Sequence, residues 1–315
     1  MRTTFKKYQI KTNKELQDLL QNPDTLFVFD TCVLLDFLRC TDITRDELQN
    51  IFNECKEHLY MPYQIGKEFY KNRHNIIPDM DEQIKQLINK LKGASNDIKS
   101  RFSKGTYFLA SLSDSVDQSI KRLTTSITTK QKKFHTAIKE DEICVFFETV
   151  FNGRVGEKNN FSESDIADFN QRVEKGTPPG ELDKENKNIP YGDYIIWLDI
   201  IAKAKKDHKN IIFITSETKS DWFYKSKSEE IIAPRAELLE EFFNKTGQEI
   251  HIYNIAKFVE DWHKLSKQDK VPPKVVAELK RMFRVKEMNN SETPIDKTSN
   301  SYESIASSDV PNVKA

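Results

Sequence analysis

The chain has 315 residues, of which 37% are apolar and 31% charged, which allows one large α/β domain with insertions or two small ones. Lysine plus arginine equals aspartate plus glutamate, at 49 each, so nucleic-acid binding would need a local basic patch. Four cysteines without a CxxC pair disfavour a zinc site or a disulfide framework. There is neither a signal-peptide core nor an apolar run of roughly 20 residues, so we expect a soluble cytoplasmic protein.

The first part of the chain alternates short apolar runs with helical patterns. Residues 26–29 (LFVF) predict a central strand buried on both faces, and a helix is expected to start within residues 34–38. Residues 42–58 predict an amphipathic helix. Residues 59–61 predict a brief strand, and residues 62–74 a further helix with proline at its first position.

The middle of the chain has the composition of a helical insertion. From residue 79 to residue 171 glycine is scarce, and apolar residues recur at three- and four-residue steps, as at Ile84, Leu87 and Leu91. This spacing predicts a helical hairpin or bundle. A loop rich in Gly, Pro and Asn follows over residues 176–192.

The last third returns to alternating elements. Helices are predicted over residues 193–206, 235–246 and 256–265, the second of them ending at a glycine. Strands are predicted over residues 211–215 and 249–253. This order indicates crossover connections between parallel strands.

The predicted fold class is therefore α/β, with a Rossmann-like parallel sheet and an inserted helical region. We expect the main domain to span residues 24–264, preceded by an N-terminal segment over 1–23. Residues 265–315 are expected to hold a helix remnant and then, after about Val285, a disordered polar tail. Ligands bind beyond the carboxyl ends of the strands in such sheets, so acids at those ends define the candidate site.

Three acids stand out by their place in these elements. Asp30 directly follows the first strand, where a carboxylate is costly unless it is paired or binds a metal ion, and helix capping is the alternative. Glu68 lies beside Phe69 on a helix and, taken alone, is better explained as an exposed glutamate paired with nearby basic residues, so its candidacy depends on the other acids. Asp193 opens a helix, where the helix dipole favours an acid, so capping competes with metal binding there too.

Further acids lie near the same predicted edge. Glu217 and Asp221 follow the strand 211–215, and an ordinary polar loop is the alternative for both. Asp183, in the loop before the Asp193 helix, is a second-tier candidate for the metal or its water shell. Asp36 is interpreted as a solvated or helix-pairing acid rather than as a site residue.

Five sequence blocks, taken in order, resemble the PIN-like domain family of bacterial PIN proteins. The blocks are VFDTCVLLDFLR, YMPYQIGKEFYKNR, PPGELDKENKNIPYGDYIIWLDI, IIFITSETKSDWF and APRAELLEEF. The resemblance covers residues 24–75 and 176–262, while the helical region between them matches in kind more than in wording. It implies a Rossmann-like sheet and an acidic pocket that binds Mg²⁺ or Mn²⁺ and hydrolyses phosphodiesters, typically in RNA.

The resemblance also implies roles for particular residues. Asp30 matches the first-strand aspartate of the family, Glu68 the acid of its "EF" block and Asp193 that of its "GD" block. The chain departs from the family pattern of threonine, any residue, aspartate, because Glu217 occupies the aspartate position. We therefore expect Glu217 or Asp221 to complete a second metal position if two ions bind.

The substrate must bring phosphates to a negative pocket, so basic residues nearby are candidates for binding it. Lys67, Lys71 and Arg73 flank Glu68. The segment 121–139 contains no acid and six lysines or arginines, which suits a backbone-binding arm or, equally, a solvated helix face.

Tyr191 and Trp222 could stack on unpaired bases, although packing is the better interpretation for both. The resulting hypothesis is an Mg²⁺- or Mn²⁺-dependent endonuclease acting on nucleic acid, RNA above all, with no membrane partner. A homo-oligomer or a regulatory protein is left open. The family resemblance also raises a role as a toxin or in phage defence.

Two alternatives use the same residues differently. A phosphatase of the haloacid-dehalogenase type would need a second aspartate two positions after Asp30, where this chain has Cys32. A catalytically weak or inactive module that binds RNA or protein is the other alternative, supported by Glu217 and by the polar insertion.

Overall fold

The computed structural model describes most of the chain. The described residues are 10–102, 107–139, 142–158, 160–180, 191–217, 219–228, 230–267 and 269–291. The strands are β1 (Thr25–Phe29), β2 (Asn210–Thr215), β3 (Phe223–Lys225), β4 (Ile231–Pro234) and β5 (Ile250–Asn254). The helices are α1 (Asn13–Gln21), α2 (Thr31–Asp36), α3 (Asp42–Glu54), α4 (Tyr63–Phe102), α5 (Tyr107–Lys139), α6 (Glu142–Val150), α7 (Glu163–Lys175), α8 (Gly192–Asp207), α9 (Ala236–Thr246), α10 (Ile255–Asp261) and α11 (Pro273–Ser291).

A parallel sheet with the strand order β1-β2-β5 forms the centre of the fold, as the sequence predicts. Phe29 pairs with Ile214, and Thr215 pairs with Asn254. The carboxyl ends of β1 and β2 therefore meet at the same edge of the sheet. The N–H of Asp30 continues the ladder by donating a 2.9 Å hydrogen bond to the carbonyl of Ile214.

The central strands are buried on both faces, which explains why their sequences are continuous apolar runs. Val28 and each residue from Ile211 to Ile214 are inaccessible to solvent. Helices on both sides supply the rest of the core, including Trp197 of α8 and Phe258 of α10. Burial on this scale fixes the register of the strands and thereby the positions of the residues that follow them.

The predicted insertion is a long helical hairpin of α4 and α5. Ser95 of α4 donates a 2.8 Å hydrogen bond to Asp117 of α5, and Gln131 of α5 donates one of 2.6 Å to Asp81 of α4. These pairs show that the two helices run antiparallel. The predicted end of the helix 62–74 was wrong, because α4 continues through Pro78 to Phe102.

Several elements differ from the sequence-based prediction. The antiparallel pair β3–β4 and the helix α1 were not predicted, and residues 59–61 form isolated bridges rather than a strand. Helix α11 extends past Val285, where a tail was expected, and residues 292–315 of that predicted tail lie outside the described residues. The predicted stop of α9 at Gly247 is confirmed, with φ of 72° at that glycine.

Within the described part of the chain, no helix combines the length and apolarity needed to cross a membrane.

Candidate active site

Asp30 is held at the junction between β1 and α2. One carboxylate oxygen, Oδ1, accepts a 2.7 Å hydrogen bond from the N–H of Thr31 and so caps α2. The other, Oδ2, accepts a 2.7 Å bond from the Thr215 hydroxyl and a 3.0 Å bond from the Cys32 thiol. The capping role considered from the sequence is therefore present, and the second oxygen faces the end of β2.

Glu217 reaches the same place from the end of β2. The hydroxyl of Thr215, which donates to Asp30, also accepts a 2.9 Å hydrogen bond from the N–H of Glu217. One threonine side chain thus connects the two acid-bearing segments. This bond stabilises the turn directly after β2, because the hydroxyl accepts a backbone N–H that no longer pairs within the sheet.

Glu68 is positioned by neutral donors on the first turns of α4 and α2. Its Oε2 accepts a 3.0 Å hydrogen bond from the Thr31 hydroxyl, and its Oε1 accepts one of 2.7 Å from the Gln64 amide. Gly192 lies close against the same carboxylate, since a Cβ added to this glycine would come within 2.7 Å of Oε1. The exposed-glutamate interpretation of Glu68 is therefore wrong: its carboxylate points towards the starts of α2 and α8.

Asp193 lies in the first turn of α8, one residue after the glycine that contacts Glu68. Its Oδ2 is 3.2 Å from Nζ of Lys219, and the two side chains are only 15% and 18% exposed. Tyr191 is the N-cap of α8 and makes no side-chain capping bond. The acid thus faces a lysine from the loop after β2.

The acids at this edge influence one another electrostatically. Burial, together with the nearby charges of Asp193 and Glu217, raises the pKa of Asp30 to about 7, although the hydrogen bonds from Cys32 and Thr215 act in the opposite direction. Burial and like charges both disfavour an ionised carboxylate, so the effects add. Four segments distant in sequence therefore bring Asp30, Glu68, Asp193 and Glu217 to one place.

Asp221 serves a different part of the structure. Its side chain is inaccessible to solvent, and its Oδ2 accepts a 2.9 Å hydrogen bond from the N–H of Gly180. This bond ties the loop after α7 to the segment after β2. The neighbouring Trp222 packs against Trp197 and Phe213, so packing is its role here.

Asp183 falls in a segment outside the described residues. Tyr191 packs on Phe161 and Phe169, in agreement with the packing interpretation.

The structure also reveals residues that sequence reasoning missed. Thr31, Cys32, Thr215 and Ser216 surround the acids with hydroxyl and thiol groups, and Ser216 donates a 2.6 Å hydrogen bond to Asp36. Asp36 is only 2% exposed, so the solvated alternative was wrong, whereas the helix-pairing alternative agrees with its 3.6 Å ion pair with Arg39. A polar residue adjoining a buried apolar run was the available signal, because such a group needs a partner.

The predicted substrate-binding lysines and arginine differ in availability. Lys67 and Lys71 are exposed on α4. Arg73 is half-buried, with its guanidinium over the Tyr70 ring at 4.9 Å and one N–H directed to the Cys144 thiol. Within the segment 121–139, Lys121 pairs with Asp117 at 2.9 Å, so part of its charge is balanced within the hairpin.

The donor set fits a hard divalent cation in kind. Mg²⁺ and Mn²⁺ prefer carboxylate oxygens, and a cation would offset the repulsion that raises the Asp30 pKa. In the described residues no three Cys, His, Asp or Glu side chains already surround one common position, and Asp193 is engaged by Lys219. The residues that would hold the ion are Asp30, Asp193 and Glu217, with Glu68 beside them.

Comparison with protein families gives one match. The family described as "PIN like domain" matches residues 26–238, more than half of the chain. The matched segment contains all four converging acids together with the inserted hairpin. Searches among curated proteins and among solved structures gave no significant match.

Proposed function

We propose that this chain, which belongs to the PIN-like domain family, is a metal-dependent nuclease that hydrolyses phosphodiester bonds in RNA. The observation that carries the proposal is the convergence of Asp30, Asp193 and Glu217 at the carboxyl end of the parallel sheet, where the charges of Asp193 and Glu217 act on Asp30. Ligand sites in open α/β sheets lie at this position. The negative charge of the cluster attracts a cation, and a bound cation attracts the negatively charged phosphate.

A bound Mg²⁺ or Mn²⁺ would supply an activated water and stabilise the charge that develops on the phosphate. Asp30 and Glu217 are linked through Thr215, so the Asp30 carboxylate and the backbone of Glu217 have a fixed relative position. Glu68 is held by Thr31 and Gln64, and its carboxylate is a candidate acceptor for a proton from the attacking water.

Asp221 contributes by holding the backbone of Gly180 in the segment after α7. We retain it as a positioning residue, because a buried carboxylate that accepts a backbone N–H bond fixes that residue against the segment after β2. Lys67 and Lys71 are the exposed bases nearest to Glu68 in sequence, and we propose that they attract the RNA backbone.

A cleavage assay tests this function. Single-stranded RNA, transfer RNA and single-stranded DNA are incubated with the protein in Mg²⁺, Mn²⁺ or chelator. We expect cleavage of RNA that needs a divalent cation and that Asp30→Asn abolishes. Asp207→Asn is the matched control, since Asp207 lies at the opposite end of α8 and pairs with Lys203.

Two results would contradict the proposal. Cleavage that persists in Asp30→Asn would remove the assigned site. RNA binding without cleavage in any metal would favour the non-enzymatic module instead.

A role in growth arrest or phage defence follows only from the family resemblance, and we propose to test it by comparing the growth of cells that express the wild type or Asp30→Asn.

A further inference from the structure

Lys219 places a positive charge inside the acidic cluster. It follows β2 by four residues and lies two residues after Glu217, on the loop that brings Glu217 to the site. Its Nζ approaches Asp193 Oδ2 at 3.2 Å. This lysine was not selected from the sequence, although its neighbour Glu217 was a candidate site residue.

The environment of the pair makes it sensitive to competition. Both side chains are mostly buried, so salt screens their attraction less than it would at an exposed surface. A divalent cation that uses Asp193 as a ligand must compete with the ammonium for the same carboxylate. The ammonium would then lose this carboxylate as a partner while keeping its three N–H donors.

A released ammonium at this position has an evident acceptor. The substrate's phosphate carries two non-bridging oxygens, and lysine binds phosphate as a compact point charge. The side chain of Lys219 is 18% exposed while it is paired with Asp193, so the pair is not sealed from solvent.

We propose that Lys219 is a catalytic residue that acts as an internal cation. In the free protein it neutralises the charge of Asp193. When a divalent cation binds Asp193, the Lys219 ammonium donates its hydrogen bonds to the scissile phosphate instead. This inference rests on the proposed nuclease function. It adds a residue that contacts the substrate and predicts opposite effects of one substitution on metal binding and on cleavage.

The alternative is that Lys219 only secures the loop after β2. A structural role of that kind predicts lower thermal stability and, through a misplaced Glu217, weaker metal binding together with slower cleavage. The internal-cation role predicts tighter metal binding with slower cleavage. The sign of the change in metal affinity therefore separates the two.

The test measures Mn²⁺ binding by calorimetry in the absence of nucleic acid, and single-turnover RNA cleavage at saturating Mn²⁺. Lys219→Met should bind Mn²⁺ about tenfold more tightly, because the substitution removes a positive charge that competes for Asp193. It is expected to cleave about 100-fold more slowly, the scale for losing one donor to the transition state. Lys219→Arg keeps the charge and should stay near the wild type in Mn²⁺ affinity.

Lys206→Met is the control, because Lys206 is exposed in the last turn of α8, far from Asp193 along the helix. Unchanged or weaker Mn²⁺ binding in Lys219→Met would overturn the proposal, as would unimpaired cleavage. If Lys219→Met does not fold, Lys219→Gln replaces it in both measurements. A wild type that cleaves nothing would end the nuclease function and with it the catalytic role, whereas the Mn²⁺ titration would still decide whether Lys219 competes for Asp193.

Discussion

The hydroxyl of Thr215 donates a 2.7 Å hydrogen bond to Oδ2 of Asp30 and so joins the ends of two neighbouring parallel strands. The hydroxyl oxygen of Thr215 also accepts a hydrogen bond from the N–H of Glu217, so the segments that follow β1 and β2 meet at one small side chain. Both partners of the hydroxyl belong to the acidic cluster, which makes this threonine the simplest point at which to disturb the site without changing its charge.

Thr215→Val should therefore impair the site while preserving the shape of the core. The substitution removes a donor to a buried carboxylate and leaves the Glu217 N–H without its acceptor, which costs about 1–3 kcal/mol of the free energy of unfolding. RNA cleavage should fall by at least about tenfold. Urea unfolding and the cleavage assay measure the two effects.

Thr215→Ser is the control for this substitution, because it keeps the hydroxyl and loses only a methyl group. It should retain most of the cleavage rate. Equal activity in the valine and serine variants would show that the hydroxyl does not matter.

Asp30 should make stability depend on pH in a defined direction. Its pKa is raised from 3.8 to about 7, first by burial and then by Asp193 and Glu217, so the folded state disfavours the ionised form. The cost is absent below about pH 4, grows as the pH rises towards 7 and is constant above it, where it reaches the order of 4 kcal/mol. Asp30→Asn removes this cost, so its effect should be largest at neutral and alkaline pH.

Thermal unfolding in chelator at pH 4.5 and pH 8.5 checks this expectation. Asp30→Asn should melt above the wild type at pH 8.5, and the difference should shrink or reverse at pH 4.5. Asp207→Asn should show no such divergence. A difference between Asp30→Asn and wild type that is the same at both pH values would mean that Asp30 titrates normally.

Gly192 should tolerate no side chain, because a Cβ there would come within 2.7 Å of Glu68 Oε1. Thr31 and Gln64 hold that carboxylate, so it cannot move without losing a hydrogen bond. Gly192→Ala should lower RNA cleavage by at least about tenfold, with a loss of about 1 kcal/mol in the free energy of unfolding.

Gly93 offers a matched comparison within α4. A Cβ at Gly93 would meet nothing within 4 Å, so Gly93→Ala should raise the free energy of unfolding by about 0.5–1 kcal/mol and leave cleavage unchanged. Normal cleavage by Gly192→Ala would show that the exact place of Glu68 is unimportant.

The sequence is most informative where an acid adjoins a buried apolar run, as Asp30 does after LFVF. Such a position is visible because a strand and its exit are local features. The partners of that acid are less visible, since Thr215 reaches Asp30 across 185 residues.

The same limit applies to the buried pair of Arg172 and Glu241, joined by two 2.8 Å hydrogen bonds across 69 residues. Neither residue has a local pattern that sets it apart from an exposed helical charge. Long-range polar pairs depend on how whole helices and strands pack. Sequence patterns therefore identify the candidate acids but not the residues that hydrogen-bond to them.

Helix α11 makes a long-range polar contact that is expected to stabilise the fold. Glu278 of α11 accepts hydrogen bonds of 2.9 and 2.6 Å from the backbone and hydroxyl of Thr41, and one of 2.5 Å from Thr44. Thr41 is the N-cap of α3 but makes no side-chain capping bond of its own, so Glu278 caps α3 from a distant helix. Glu278→Ala should lower the free energy of unfolding by about 1–2 kcal/mol, the usual cost of losing a cap.

Urea unfolding provides the measurement, with Arg281→Ala as the control. Arg281 is 73% exposed and lies 4.0 Å from Glu278, so its loss should change stability little. Cleavage well below the melting temperature should be normal in both variants, because neither residue belongs to the acidic cluster. Equal stability of the two variants would mean that α11 contributes no cap to α3, and that its docking depends on the buried Val275 and Leu279 alone.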